Sequence, residues 1–193
     1  MYRPPKEDDM VNLGPTEPYQ PRPGDLGLTQ ISGWGGKAIR LGQWLNGDGY
    51  ADYEHTYVVT GTDPDGTVWI VEAMPGGAQH VGNWHDPART RYLVCPDEYR
   101  EAVASIAVRQ ADRKVPYSAL DYEALALHRF HVPAPGLRAY IESSGHQICS
   151  QLADYCAAKG GWHLFNDNRW PGYVTPGDLN RLWEQQNRSE NSR

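Results

Sequence analysis

Cys149 and His55 could together do nucleophilic chemistry, with Glu72 as the group that orients the histidine. Cys149 lies in Gly145-His146-Gln147-Ile148-Cys149-Ser150-Gln151-Leu152-Ala153-Asp154-Tyr155-Cys156. Ile148, Leu152, Tyr155 and Cys156 recur at i, i+4, i+7 and i+8, which predicts a helix from Ile148 onward. Ala157, Ala158 and Lys159 carry it on, and Gly160-Gly161 stop it. Cys149 is therefore expected at a helix N-terminus, where unpaired N–H groups and the positive end of the helix dipole favour a thiolate. Taken alone, such a cysteine reads as a small buried apolar residue. A base and an orienting group must stand beside it before it reads as a nucleophile.

Those two groups come from a hairpin. Glu54 to Thr60 and Thr67 to Ala73 read as strands joined by Gly61-Thr62-Asp63-Pro64-Asp65-Gly66. A symmetric register about that loop sets Thr60 opposite Thr67, Val58 opposite Trp69 and His55 opposite Glu72. Directly opposed residues of an antiparallel pair share a face, with Cβ atoms ~5 Å apart. A slip of one residue would separate them. Glu72 is the more telling of the pair, because it interrupts the apolar run Val68-Trp69-Ile70-Val71 and a buried carboxylate needs a partner.

The remaining elements must position these residues. Residues 1–22 hold five prolines and mixed charge, and read as an extended arm that could dock on its own domain or on a partner. Pro23-Gly24-Asp25 is a turn, and Leu26 to Ile31 a strand. Trp34 to Leu45 reads as a glycine-weakened helix. Ala78 to Trp84 and Arg89 to Cys95 read as further strands, and a helix with Val103, Ile106 and Ala107 on its core stripe follows Pro96-Asp97. Ser118-Ala119-Leu120-Asp121 resembles a capping box opening a helix to about Phe130. Leu137 to Ile141 is a short segment of undetermined type. A last helix starts near Thr175 and ends about Trp183. Glu184 to Arg193 has no hydrophobic residue and is expected to be disordered.

Composition narrows the class. The 193 residues suit one domain with a full core, and 39% are hydrophobic. A net charge of -6 without a long basic run argues against a nucleic-acid binder. Cys95, Cys149 and Cys156 are an odd set with no CxxC, so reduced thiols are expected rather than a disulfide framework. No stretch reaches membrane-spanning length. No apolar h-region follows the charged N-terminal residues, so the expectation is synthesis in the cytoplasm without a signal peptide, with the final site, virion-associated or released, left open.

The order of motifs resembles the circularly permuted branch of the NlpC/P60 papain-like superfamily, which includes YiiX-like and lecithin:retinol acyltransferase-like proteins. The matching pieces are Pro23-Gly24-Asp25-Leu26-Gly27-Leu28, His55-Thr56-Tyr57-Val58-Val59-Thr60-Gly61, Val71-Glu72-Ala73 with Pro75-Gly76-Gly77, Val115-Pro116-Tyr117, and Ile148-Cys149-Ser150-Gln151-Leu152. In that branch the histidine precedes the cysteine. The resemblance spans about residues 23–183 and does not extend to the arm or the tail. It implies an α+β fold, with a small antiparallel sheet packed against helices. It implies Cys149 as nucleophile, His55 as base and Glu72 as orienting residue, with Tyr117 and Ser150 assigned to substrate binding. The implied reaction is thiolate attack on an amide, ester or thioester carbonyl, giving an acyl-enzyme that water hydrolyses. The Cys149 backbone N–H would be an oxyanion donor. No metal or organic cofactor is needed.

The substrate implied by the resemblance is a peptidoglycan stem peptide. An acyl-lipid substrate, for a hydrolase or acyltransferase, is the alternative within the same chemistry. A non-catalytic structural or virion-associated module with the same fold is the alternative from another class. A structural zinc is disfavoured, because His128-x-x-His131 and His146-x-x-Cys149 lack paired ligand spacing. Seven tryptophans without regular spacing read as core and groove wall rather than a stacking platform.

Overall fold

The computed structural model describes residues 19–30, 53, 55–74, 76–83, 89–116, 148–166 and 174–190. The helices expected over Trp34 to Leu45 and from Ser118, the segment Leu137 to Ile141, Tyr117, and the residues from Gly145 to Gln147 lie outside this set. The architecture is α+β. A five-stranded antiparallel sheet comprises β1 (Leu26–Thr29), β2 (His55–Thr62), β3 (Val68–Met74), β4 (Gly77–Asn83) and β5 (Thr90–Leu93). Their spatial order is β4-β3-β2-β1-β5. The helices among the described residues are α1 (Arg100–Asp112), α2 (Cys149–Lys159) and α3 (Pro176–Glu190). None of them is long and apolar enough to cross a membrane.

Strand alternation divides the sheet into two faces. Leu26, Leu28, Val58, Val71, Ala73 and Leu93 face the main core, against Val103, Ile106 and Ala107 of α1 and Leu152, Ala153 and Cys156 of α2. The other face carries a smaller apolar cluster, Tyr57, Val59, Val68, Ile70 and Tyr92. Glu72 lies directly opposite Gln79 on one side and Tyr57 on the other. Gly27 lies opposite both Tyr57 and Tyr92. One row on this second face thus reads Gln79, Glu72, Tyr57, Gly27, Tyr92.

The expected hairpin register is corrected. Glu72 pairs with Tyr57, Val71 with Val58 and Ile70 with Val59. The pairing then shifts across a bulge at Thr60, to Gly61 with Trp69 and Thr62 with Val68. The loop itself sets this. It closes over Asp63 to Thr67, where Asp63 N–H donates to the Thr67 carbonyl and Gly66 N–H to the Asp63 carbonyl, both at 2.9 Å. Trp69 Nε1 donates to Asp63 Oδ2 at 2.8 Å, holding the loop from its side. The displacement at Glu72 is two residues, an even number, so His55 and Glu72 remain on one face.

α2 ends in a Schellman motif. Gly161, at φ 93°, donates to the Ala158 carbonyl, and Trp162 N–H donates to the Ala157 carbonyl at 2.9 Å. The glycine pair also lets two helices meet, since a Cβ at Gly160 would lie 2.6 Å from the Val103 side chain of α1.

The C-terminal expectation is corrected as well. α3 continues past Trp183 to Glu190, so the segment from Glu184, expected to be disordered, is helical that far. Its start is fixed by a capping box, in which Thr175 N–H donates to Asp178 Oδ2 at 3.0 Å and Asp178 N–H to Thr175 Oγ1 at 3.1 Å. Beyond Trp183 the side chains are mostly good helix formers, with i,i+4 bonds from Asn180 to Glu184 and from Asn187 to the Trp183 carbonyl. Propagation there needs no apolar stripe. Of the N-terminal arm, residues 19–22 lie on the domain. Tyr19 donates to Asp25 Oδ2 at 2.7 Å, Thr62 donates to the Pro21 carbonyl at 3.1 Å, and Arg22 pairs with Asp97.

Candidate active site

The site forms where the N-terminus of α2 meets the beginning of β2. Ile148, extended at φ -87° and ψ 169°, is the N-cap of α2, and Cys149 is its first helical residue. Ile148 and Leu152 are fully buried in the core, so the helix enters the site along a fixed line. Gln151 fixes it further, because its Oε1 accepts the Ile148 N–H at 2.9 Å. This answers one of the donors that a helix start leaves without an intrahelical acceptor.

His55 opens β2 and hydrogen-bonds to the Cys149 side chain. On its other side, Nε2 lies 2.6 Å from Glu72 Oε2. That contact leaves Nδ1 for the thiol, and an imidazole held by a carboxylate at one nitrogen is set to exchange a proton at the other. The side chains of His55 and Glu72 are 8% and 15% exposed, and Cys149 is 2% exposed. The line is therefore shielded from bulk water, where such interactions are strongest.

Electrostatics follow from these contacts. Burial works against a charge on His55, yet its hydrogen bonds to Cys149 and Glu72 raise it from 6.5 to about 10. Burial pushes the Glu72 carboxyl up, but the hydrogen bonds from His55 and Gln79 outweigh it and hold the group below its ordinary value. His55 is thus a cation and Glu72 an anion at neutral pH. A cysteine at a helix start beside an imidazolium is in the setting that activates thiols. The other thiols stand apart. Burial pushes both Cys95 and Cys156 up to about 12.

The sequence-assigned residues divide accordingly. Cys149, His55 and Glu72 come together. Tyr117 lies outside the described residues. Ser150 corrects its assignment: it is fully buried, and its hydroxyl donates to the Val174 carbonyl at 2.7 Å. The side chain ties α2 to the segment before α3 instead of facing a substrate. Among the described residues no group of three or more His, Cys, Asp and Glu could hold a metal ion.

Two neighbours escaped the sequence reading. Gln79 Nε2 donates to Glu72 Oε1 at 2.7 Å. Gly76-Gly77 was its signal: β4 begins at Gly77, which pairs with Met74 and so sets Gln79 directly opposite Glu72. Tyr57 lies beside His55, with ring centroids 6.4 Å apart, and its hydroxyl lies 3.1 Å from that of Tyr92. Its ring crosses Gly27 so closely that a Cβ there would sit 2.2 Å from it. Gly27 inside Leu26-Gly27-Leu28 was the available signal, because a glycine within a strand often marks a close approach. Comparison with family models, curated proteins and solved structures finds no match to the chain.

Proposed function

We propose that this protein is a cysteine hydrolase that cleaves an amide bond through an acyl-enzyme, with peptidoglycan stem peptides as its substrate. The observation that carries the reaction is the hydrogen-bonded line from Glu72 through His55 to Cys149 at the first turn of a buried helix. The substrate class rests on the resemblance to permuted NlpC/P60 proteins, which is read from the motifs.

In this reading the Cys149 thiolate attacks the carbonyl carbon, and the carbonyl electrons move onto oxygen. First-turn N–H groups of α2, that of Cys149 among them, stabilise the oxyanion. The tetrahedral intermediate collapses, the C–N bond breaks, and the His55 imidazolium gives its proton to the leaving amine. The product is a thioester on Cys149. Neutral His55 then takes a proton from water as the hydroxide equivalent attacks the thioester, releasing the carboxylic acid and restoring the thiolate–imidazolium pair. Glu72 stays ionised throughout. It orients the ring and stabilises the imidazolium, as the carboxylate of a serine-hydrolase triad does.

The test is digestion of purified sacculi and of soluble stem peptides by wild type and Cys149→Ala, with new amine termini mapped by mass spectrometry. Wild type is expected to release defined fragments and Cys149→Ala none. A wild type that leaves every peptide bond intact while cleaving an acyl-lipid ester would transfer the chemistry to lipids. Inertness toward both, with Cys149 titrating as an ordinary thiol, would sink the reading.

A further inference from the structure

Gln79 lies on the exposed edge strand β4, where a glutamine usually has nothing to hold it. Here it is directly opposite Glu72 and donates to Oε1 at 2.7 Å, while Oε2 of the same carboxylate meets His55 Nε2 at 2.6 Å. The two oxygens of Glu72 are thus engaged separately. We propose that Gln79 is a positioning residue, whose amide fixes the Glu72 carboxylate plane so that His55 keeps Nε2 on Glu72 and presents Nδ1 to Cys149.

The terminal torsion of a glutamate is broad and close to two-fold, so a carboxylate anchored at one oxygen alone can swing. A second donor removes that freedom. The donor must be the amide nitrogen, because an ionised carboxylate only accepts. Its neutrality matters as well. A lysine or arginine at this place would hold Glu72 equally firmly but would share its charge, weakening the field on the imidazolium. An amide fixes the geometry and leaves the whole negative charge to His55. Holding Glu72 from outside the thiol–imidazole pair parallels how second-layer partners orient metal ligands and tune their basicity.

The inference rests on the proposed cysteine chemistry, and the experiment separates the two. Gln79→Met keeps the length and roughly the volume of the side chain and removes the amide that donates to Glu72. The full chain is alkylated with iodoacetamide from pH 4 to 10, in wild type, Gln79→Met and His55→Ala, with Cys149 followed by mass spectrometry. Thermal unfolding is recorded in parallel. Wild type should react at Cys149 below pH 7, and His55→Ala should not. Gln79→Met should unfold at the wild-type temperature, yet its rise in reactivity should shift upward by about half to one pH unit, the size of a lost hydrogen bond to a charge near the surface. Single-turnover hydrolysis should slow by about three- to ten-fold, following the same shift. A Gln79→Met profile that superimposes on a wild type with low-pH reactivity overturns the role of Gln79 and leaves the catalytic reading standing. A wild type without low-pH reactivity overturns both.

Discussion

His55 and Glu72 meet on a diagonal. Glu72 is paired across the strands with Tyr57, and His55, two residues back on the same face, reaches Oε2 at 2.6 Å. Diagonal neighbours stand ~7–8 Å apart between backbones, so only a long side chain closes the gap. Glutamate is long enough; aspartate falls short by one methylene. Glu72→Asp should therefore lose the contact with its charge intact, and Glu72→Gln should keep the reach without the charge. Both variants should cut Cys149-dependent hydrolysis by at least about ten-fold, the scale of a lost charge-assisted hydrogen bond. The pH profile separates them: Glu72→Gln moves the His55 limb downward, because the anion that raises it has gone. Equal activity in Glu72→Asp and wild type would show that the diagonal contact carries no catalytic weight.

The same diagonal shows which parts of the site were legible in the chain. The Cys149 helix could be read because its apolar spacing and the Gly160-Gly161 stop are local features. The common face of His55 and Glu72 could be read because it depends only on parity, which a shift of two preserves. The register itself could not be read, since the bulge at Thr60 and the bonds between Asp63 and Thr67 decide it. Ser150 was misassigned because its partner, Val174, is 24 residues away and approaches only once α3 docks. The helix past Trp183 is not legible from hydrophobicity, because side-chain bonds at helical spacing, not an apolar stripe, carry it on.

Alkaline conditions should destabilise the fold more steeply than one group explains. His55 is raised from 6.5 to about 10, so its contribution is fully present below pH 6.5 and lost as pH rises through 10. Cys95 and Cys156 stay protonated to about 12 in the folded chain, while in the unfolded chain they ionise near 9. The folded state then holds more protons at all three groups, and each costs about 1.4 kcal/mol of stability per pH unit. Urea midpoints should fall gently from pH 7 to 8.5, where His55 alone contributes, and more steeply from pH 9 to 10, where Cys95 and Cys156 add to it. A flat curve to pH 10 would contradict the burial-raised thiols and the raised imidazole together.

Gly27 is where the sheet makes room for the site. Gly27→Ala puts a methyl 2.2 Å from the Tyr57 ring, which must leave its present place beside Tyr92 and His55. The cost should be about 1–3 kcal/mol, the range for overpacking a dense core, with a lower thermal midpoint and reduced Cys149 reactivity. Tyr57→Phe separates the two causes: it keeps the ring beside His55 and loses only the hydroxyl contact, so it should retain Cys149 reactivity. In Gly27→Ala/Tyr57→Val the clash is gone, and the double variant should be more stable than the two single effects added together. Strict additivity would mean that the ring and the glycine do not oppose each other.

Arg91 sets how α3 is held. Its guanidinium lies 4.5 Å from the Tyr53 ring centroid and 4.2 Å from that of Trp183, and it donates to Asn180 Oδ1 at 3.1 Å. A planar cation between two rings is a fit that lysine does not reproduce, and each face is worth roughly 0.5–2 kcal/mol. Arg91→Lys should therefore loosen α3 where it crosses β5, while the Thr175–Asp178 capping box and the Ser150–Val174 bond keep its N-terminus in place. Hydrogen exchange should accelerate over residues 180–190 and stay unchanged over Cys149–Lys159. Equal acceleration in both would show that α3 and the cysteine helix open as one unit, so that the clamp at Arg91 would support the candidate site as well as the C-terminal helix.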